Sequence, residues 1–375
     1  MSDAPQSSRH EVQTTEEAEA TAEVLNALAY YKKYGLLKLS SQAQAFMRLP
    51  VQHRSMISPM YETALRKAKE CVNANQGFLD VVLETGRSMM GAEGDGEFLE
   101  KAYAITTLRP ATEHYMRKVR STLKQLVRDW SEEGRAERES CYSRILKAMY
   151  ERFPDVEKRK DVQVLVPGSG LARLVWQLVH DGFSTLGNEY SMLMLLVSNF
   201  ILNCCEEANQ FTIYPYVGEN SNQWSYENQF RGIMIPDICT RNAGRTQRQN
   251  TFSMCAGDFV TAMQDYDEHF DCVATCFFLD TATNPFVYVD VIKRILKPGG
   301  VWLNFGPLLY HYAGEHEDAL ELPYEEIIRI VKASGFEIVK DERCSEESAK
   351  YVCDEKSMLQ YSYYCGFFEC VKKAA

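Results

Sequence analysis

The apolar positions of the chain change period part-way along it. From Glu23 to Arg128 they recur at helical spacing: Val24, Leu25, Leu28 and Ala29 form one stripe, Ala45, Phe46 and Leu49 another, and Leu79, Val82, Leu83 and Met89 a third. Gly91-Ala92-Glu93-Gly94-Asp95-Gly96 reads as a break between helices. Arg109-Pro110 then introduces a long helix with Met116, Val119, Leu123, Leu126 and Val127 on its apolar face. A further helix over residues 136–152 turns Cys141, Ile145, Leu146 and Met149 inward. Residues 1–21 nearly lack large apolar groups and cannot offset the entropy of ordering, so a disordered acidic tail is predicted there.

Past Phe153-Pro154 the runs shorten and become β-branched. Val162 to Val166 is a strand that meets the turn Pro167-Gly168-Ser169-Gly170, after which Leu174, Val175, Leu178 and Val179 face inward from a helix. Phe183 to Glu189 is the next strand, 191–206 an apolar helix, and 252–259 a strand ending in an acidic turn. Phe270 to Asp280 is a continuous apolar run, as buried parallel strands are. A helix over 289–296 stops at Lys297-Pro298-Gly299-Gly300, and Val301 to Gly306 is a strand. A helix over 324–334 and strands at 336–339 and 361–371 complete the pattern. Residues 207–250, rich in Asn, Gln, Tyr and Arg, read as a long irregular insertion that would close over a ligand. The expected architecture is α/β, a Rossmann-like doubly wound sheet with an all-helical N-terminal region. Its boundaries are a tail at 1–21, helices at 22–154, and an α/β domain at 155–375 carrying the insertion.

The turn and the strand ends carry the candidate chemistry. Gly168 and Gly170 let the backbone turn sharply and approach a ligand. Glu189 ends the second strand about 20 residues on, where a carboxylate accepts ribose hydroxyls. That pair fits a nucleoside-containing cofactor, either a dinucleotide or S-adenosylmethionine. The dehydrogenase reading is the weaker, because the turn reads G-x-G-x-A and no second dinucleotide half is visible. Asp280 lies just past the central strand, where open α/β sheets place their ligands.

Net charge and cysteine usage narrow the field. A formal charge of -11 on 375 residues argues against a nucleic-acid surface. Twelve cysteines form no CxxC pair, and the polar, acidic N-terminus does not read as a secretory leader, so reduced thiols in an intracellular protein are expected. The seven histidines show no metal-ligand spacing, so no metal site is expected. Met192 to Leu202 is far shorter than the roughly 20 residues that span a bilayer, and no membrane role is expected.

The order of signals (glycine turn, acidic strand end, Gly257-Asp258-Phe259, apolar strand ending in Asp280, Lys-Pro-Gly-Gly) resembles class I S-adenosylmethionine-dependent methyltransferases. Longer runs resemble the carnosine N-methyltransferase family. They are Leu126-Val127-Arg128-Asp129-Trp130-Ser131-Glu132-Glu133-Gly134, Leu165 to Leu171, Gly187-Asn188-Glu189, Ala274 to Ala282, and Gly306-Pro307-Leu308-Leu309-Tyr310-His311. The resemblance implies methyl transfer from S-adenosylmethionine to the imidazole of carnosine, β-alanyl-histidine, giving anserine. It implies cofactor contacts at Gln125 and Arg128 on a helical cap, at Gly168, Gly170 and Glu189, at Asp258 and Phe259 around the adenine, and at Cys276. Asp280, His311, Tyr351 and Tyr363 resemble the residues that hold carnosine, with Asp280 and His311 acting on the imidazole. Ala172 stands where the family usually has glycine, and the Tyr361-Ser362-Tyr363-Tyr364 run leaves the tyrosine register open by one. The insertion is Arg-rich at Arg241, Arg245 and Arg248.

Carnosine and related imidazole peptides are thus the expected partners. A homodimer and a nuclear pool beside a cytoplasmic one are left open. The rival readings are a methyltransferase for histidine in other peptides or proteins, and a non-catalytic cofactor-binding module.

Overall fold

The computed structural model describes residues 6–92, 109–240, 249–314, 317 and 319–374. Two compact units emerge, and both are discontinuous in sequence. One comprises 1–127, 199–238 and 354–359; the other comprises 128–198, 239–353 and 360–375.

The first unit is built on α1 (Gln6–Met47) and α2 (Val51–Ala92), and includes most of α3 (Glu113–Trp130). Val24, Leu25 and Leu28 of α1 are buried, as are Leu79, Val82 and Leu83 of α2, so the first and third predicted stripes pack there, whereas Ala29, Ala45 and Leu49 are exposed. Helix α1 starts at Gln6, so 6–21, expected to be disordered, lie on its first turns. The segment lacks large apolar groups, but its Glu, Gln and Ala are good helix formers on an already nucleated helix.

The expected irregular insertion is largely without regular elements where it is described, but it holds a strand pair and a buried apolar set. Phe211–Ile213 (β3) pairs antiparallel with Ile233–Ile235 (β4). Ile213, Tyr216, Val217, Ile233 and Ile235 are buried. Asn75 ties this segment to α2: its amide donates to the Tyr214 carbonyl at 2.9 Å and its Oδ1 accepts the Tyr214 amide at 2.7 Å. Phe78, Phe200 and Phe211 pack edge to face. The segment therefore belongs to the helical unit's core. Arg241, Arg245 and Arg248 lie outside the described residues.

In the second unit, seven strands among the described residues form one sheet. They are β1 (Gln163–Pro167), β2 (Ser184–Glu189), β5 (Phe252–Ala256), β6 (Phe270–Cys276), β7 (Leu296–Gly306), β8 (Phe336–Arg343) and β9 (Gly366–Lys372). The order is β5-β2-β1-β6-β7-β9-β8. The pairings from β5 to β7 are parallel, and β9 runs antiparallel to both β7 and β8. This is the class I methyltransferase sheet, with the strand order reversing between the parallel neighbours β1 and β6, the switch point where such sheets bind ligands. Trp302 at its centre is fully buried, donates to Thr275 Oγ1 at 2.8 Å and packs on Phe336 and Phe368. Lys297 to Gly300, read as a turn before a strand, bulges within β7 between the Phe270–Leu296 and Cys272–Val301 pairs.

Helix α4 (Arg135–Arg152) packs on this sheet, with Cys272 Sγ 3.4 Å from Met149 Sδ. The compact division therefore falls near Arg128 and not near residue 155, because the inward stripe of α4 has the sheet to bury against.

Candidate active site

Strand β1 ends in a turn whose backbone is held from several sides. Gly168 and Gly170 have φ of +62° and +55°, and Ala172 takes +61° just before helix α5 (Arg173–His180). A Cβ on Gly168 would lie 2.4 Å from the Phe278 ring, so the turn sits directly against the segment that follows β6. The Ser169 amide donates to the Asn188 carbonyl and the Ala172 amide to the Ser169 carbonyl, both at 2.9 Å. Trp130 Nε1 donates to the Leu171 carbonyl at 3.0 Å. Glu189 closes the arrangement: Oε2 accepts the Gly170 amide and Oε1 the Ser191 amide, each at 2.7 Å. Burial raises the Glu189 carboxyl above its ordinary range, with the amide hydrogen bonds opposing the rise. Each carboxylate oxygen retains a lone pair for a further donor.

Arg128 is buried beside this turn's tryptophan in sequence, at the end of α3. Its Nη1 donates to Asp129 Oδ1 at 3.1 Å, and its guanidinium lies over the rings of Tyr142 at 5.1 Å and Tyr351 at 4.4 Å. Nε is fully enclosed and finds no hydrogen-bond partner among the described residues. Asp129 is itself fixed by the Tyr142 hydroxyl at 3.0 Å. A buried guanidinium nitrogen without an acceptor is costly, and an anionic ligand group would remove that cost.

Past β6 the chain enters a strained residue, Phe277, at φ +52°. Its ring stacks on Tyr351 with centroids 4.7 Å apart, and meets Tyr363 edge to face at 5.9 Å. Asp280 follows in a short 3-10 turn, Leu279–Thr281, and is buried. Its Oδ2 accepts the Leu309 amide at 2.9 Å, and its backbone carbonyl accepts the His311 amide at 3.1 Å. Burial raises the Asp280 carboxyl, while the Leu309 amide and His311 pull it down. Tyr363 is half-buried and bonded to Ala349 through both backbone groups at 2.8 Å, whereas Tyr361 and Tyr364 are exposed. Tyr363 is thus the tyrosine of its run whose ring joins the cluster.

A family model described as carnosine N-methyltransferase matches residues 106–374. The chain belongs to the carnosine N-methyltransferase family. It is 38% identical over 351 residues to the carnosine N-methyltransferase of Mus musculus, covering 92% of this chain and 84% of that one. To the Schizosaccharomyces pombe protein of the same name it is 33% identical, covering 95% and 96%. Among solved structures it is similar to Haemonchus contortus phosphoethanolamine N-methyltransferase 2 in complex with S-adenosyl-L-methionine, at 14% identity and a TM-score of 0.41, covering 70% of this chain and 58% of that one.

Against that family pattern, the residues expected from the sequence fall into groups. Gly168, Gly170 and Glu189 are joined by hydrogen bonds in one turn. Arg128, Tyr351 and Tyr363 meet through Phe277, with Asp280 and His311 joined beside them. Asp258 caps helix α8 (Phe259–Ala262) through Oδ1, accepting the Val260 and Thr261 amides at 3.0 and 3.2 Å. Phe259 is a core residue, packed edge to face on Phe278 and Tyr288. Cys276 Sγ lies 3.7 Å from the Cys141 carbonyl, and burial pushes its thiol up. Gln125 is half-buried one helical turn before Arg128 and is grouped with the first unit. Phe277 and Glu137, unremarked in the sequence, are part of the cluster; left-handed backbone at a phenylalanine has no sequence signal. Among the described residues, no cluster suited to a metal ion and no helix able to cross a membrane is present.

Proposed function

We propose that this protein transfers the methyl group of S-adenosylmethionine to the imidazole of carnosine, giving anserine and S-adenosylhomocysteine. The reading rests above all on Asp280: a buried carboxylate at the carboxyl end of the central strand, joined through its backbone to His311 and lying just past Phe277, whose ring meets Tyr351 and Tyr363. The residues fit the cofactor. The Gly168–Gly170 turn leaves the backbone open to it, Glu189 has lone pairs left for ribose hydroxyls, Asp258 would take the adenine amino group, and the Arg128 guanidinium would take the methionine carboxylate. When bound, the cofactor supplies a methyl group activated by a positive sulfur.

The acceptor needs little activation. An imidazole with a pKa of about 6.5 is mostly neutral at pH 7 and already has one free lone pair. What the protein must supply is the correct tautomer and aim. With Oδ2 on the Leu309 amide, Asp280 Oδ1 is left to accept the hydrogen of the non-reacting ring nitrogen. It thereby fixes the tautomer and stabilises the ring as it becomes cationic. His311 lines the same rim, and the faces of Tyr351 and Tyr363 favour the developing cation.

A groove of about 410 Å³ lined by Leu308, Pro323, Tyr324, Arg343 and Tyr364 runs beside the segment leading to His311. It favours, as a second reading, histidine in longer peptides. A methyl-transfer assay with carnosine, free histidine and short histidine peptides, read by product mass, tests both. Carnosine turned over no faster than free histidine would overturn the first.

A further inference from the structure

Helix α4 presents Glu137, Ser140, Cys141 and Arg144 at i, i+3, i+4 and i+7, one face of a helix, and all four hold the same stretch of chain. Arg144 spans Glu342 and Glu347, each at 2.8 Å. Cys141 Sγ donates to the Lys350 carbonyl at 3.2 Å, and Ser140 Oγ accepts the Lys350 amide at 3.4 Å. Glu137 Oε1 accepts the Val352 amide, and Oε2 the Cys353 amide at 3.4 Å. What this fixes is conformationally unusual. Val352 has φ of +55°, which a β-branched residue rarely adopts, and it directly follows Tyr351.

Glu137 has a second neighbour. Its Oε1 lies 4.0 Å from Nε of Arg128, the nitrogen that lacks a hydrogen-bond partner. A carboxylate this buried is expensive to keep, and burial pushes its pKa up against the opposing pull of Arg128 and the two amides. An apolar side chain would leave the Val352 and Cys353 amides without this acceptor, so the carboxylate is kept for what it bonds and not for packing.

We propose that Glu137 is a positioning residue for both halves of the transfer reaction: its amide bonds hold the strained turn that seats Tyr351, and its charge orients the Arg128 guanidinium. This rests on the reading above in assigning Tyr351 to the acceptor and Arg128 to the cofactor.

The test uses the full-length protein with Glu137→Gln and Arg144→Gln, measuring S-adenosylhomocysteine affinity by calorimetry, carnosine KM and kcat, and amide exchange at residues 350–353. Glu137→Gln is expected to weaken S-adenosylhomocysteine and raise carnosine KM by about tenfold each, with a smaller change in kcat and faster exchange at Val352 and Cys353. Arg144→Gln loosens only the far end of the strap, so it should raise KM by about threefold and leave S-adenosylhomocysteine affinity unchanged. A lowered Tm with unchanged binding constants in folded Glu137→Gln would overturn the proposal. If that variant does not fold, Arg144→Gln decides: unchanged KM and unchanged exchange at Val352 overturn it. Wild-type protein inert toward carnosine would instead defeat the acceptor assignment, while calorimetry and exchange still judge Glu137.

Discussion

The backbone carbonyl of Asp280 accepts the His311 amide at 3.1 Å, so the residue past β6 and the residue past β7 are pinned to one rim. The Asp280 side chain adds a second tie through the Leu309 amide. His311 is exposed, and its side chain can be removed without touching either bond. His311→Ala should therefore fold normally, bind S-adenosylhomocysteine as wild type does, and lose on the order of 10²-fold in kcat/KM for carnosine. Transfer at wild-type rate by the folded variant would remove His311 from the site.

Asp280 ties activity to stability in opposite senses. Its carboxyl is raised by burial above the ordinary aspartate range. A group raised in the folded state contributes stability that is fully present below the unfolded pKa and lost as pH rises through the folded value. The wild-type protein therefore carries a penalty from Asp280 above that window. Asp280→Asn keeps an oxygen for the Leu309 amide and removes the charge. Its Tm should exceed wild type at pH 7, the two curves converging toward pH 4, while methyl transfer falls by about 10²-fold or more. A lower Tm at pH 7 in melting curves across that range would show that the carboxylate is net stabilising.

Ala172 adopts φ +61° and donates its amide to the Ser169 carbonyl. A Cβ in that conformation costs roughly 1–2 kcal/mol, part of it recovered because glycine is freer when unfolded. Ala172→Gly should accordingly raise stability by about 1 kcal/mol, a Tm increase of roughly 1–2 °C for a chain of this length, with cofactor affinity unchanged. A decrease in Tm would mean that unfolded-state entropy outweighs the relieved strain.

How much was legible in the sequence depended on whether a residue's role was local. The glycine turn, Glu189 and Asp280 sit next to strands whose apolar runs announce themselves, so their places in the fold followed from the chain. The insertion did not, because Ile213, Ile233 and Ile235 sit among polar residues and are ordered by Asn75 and by Phe78, more than 100 residues away. The packing of Phe259 on Phe278 and Tyr288 was not legible either, because both partners come from later elements of the chain. Glu137 went unremarked, since nothing nearby in sequence reveals that the amides of Val352 and Cys353 return to it.

Glu189 is the sharpest test of the cofactor assignment, because it serves the protein before it serves any ligand. Its two oxygens already accept the Gly170 and Ser191 amides at 2.7 Å. Glu189→Ala would strip both buried donors at once, each at a cost of about 1–3 kcal/mol, and weakened binding would then merely report a collapsed turn. Glu189→Gln keeps the size and one acceptor oxygen while removing the charge that ribose hydroxyls would share. Losing charge-assisted bonds worth roughly 1.5–3 kcal/mol should weaken S-adenosylhomocysteine by about 10- to 100-fold. The loss in Tm should be clearly smaller than for Glu189→Ala. Calorimetry and melting curves on the same preparations separate the two effects. A folded Glu189→Gln protein with wild-type affinity would leave this carboxylate as a brace for the glycine turn and nothing more.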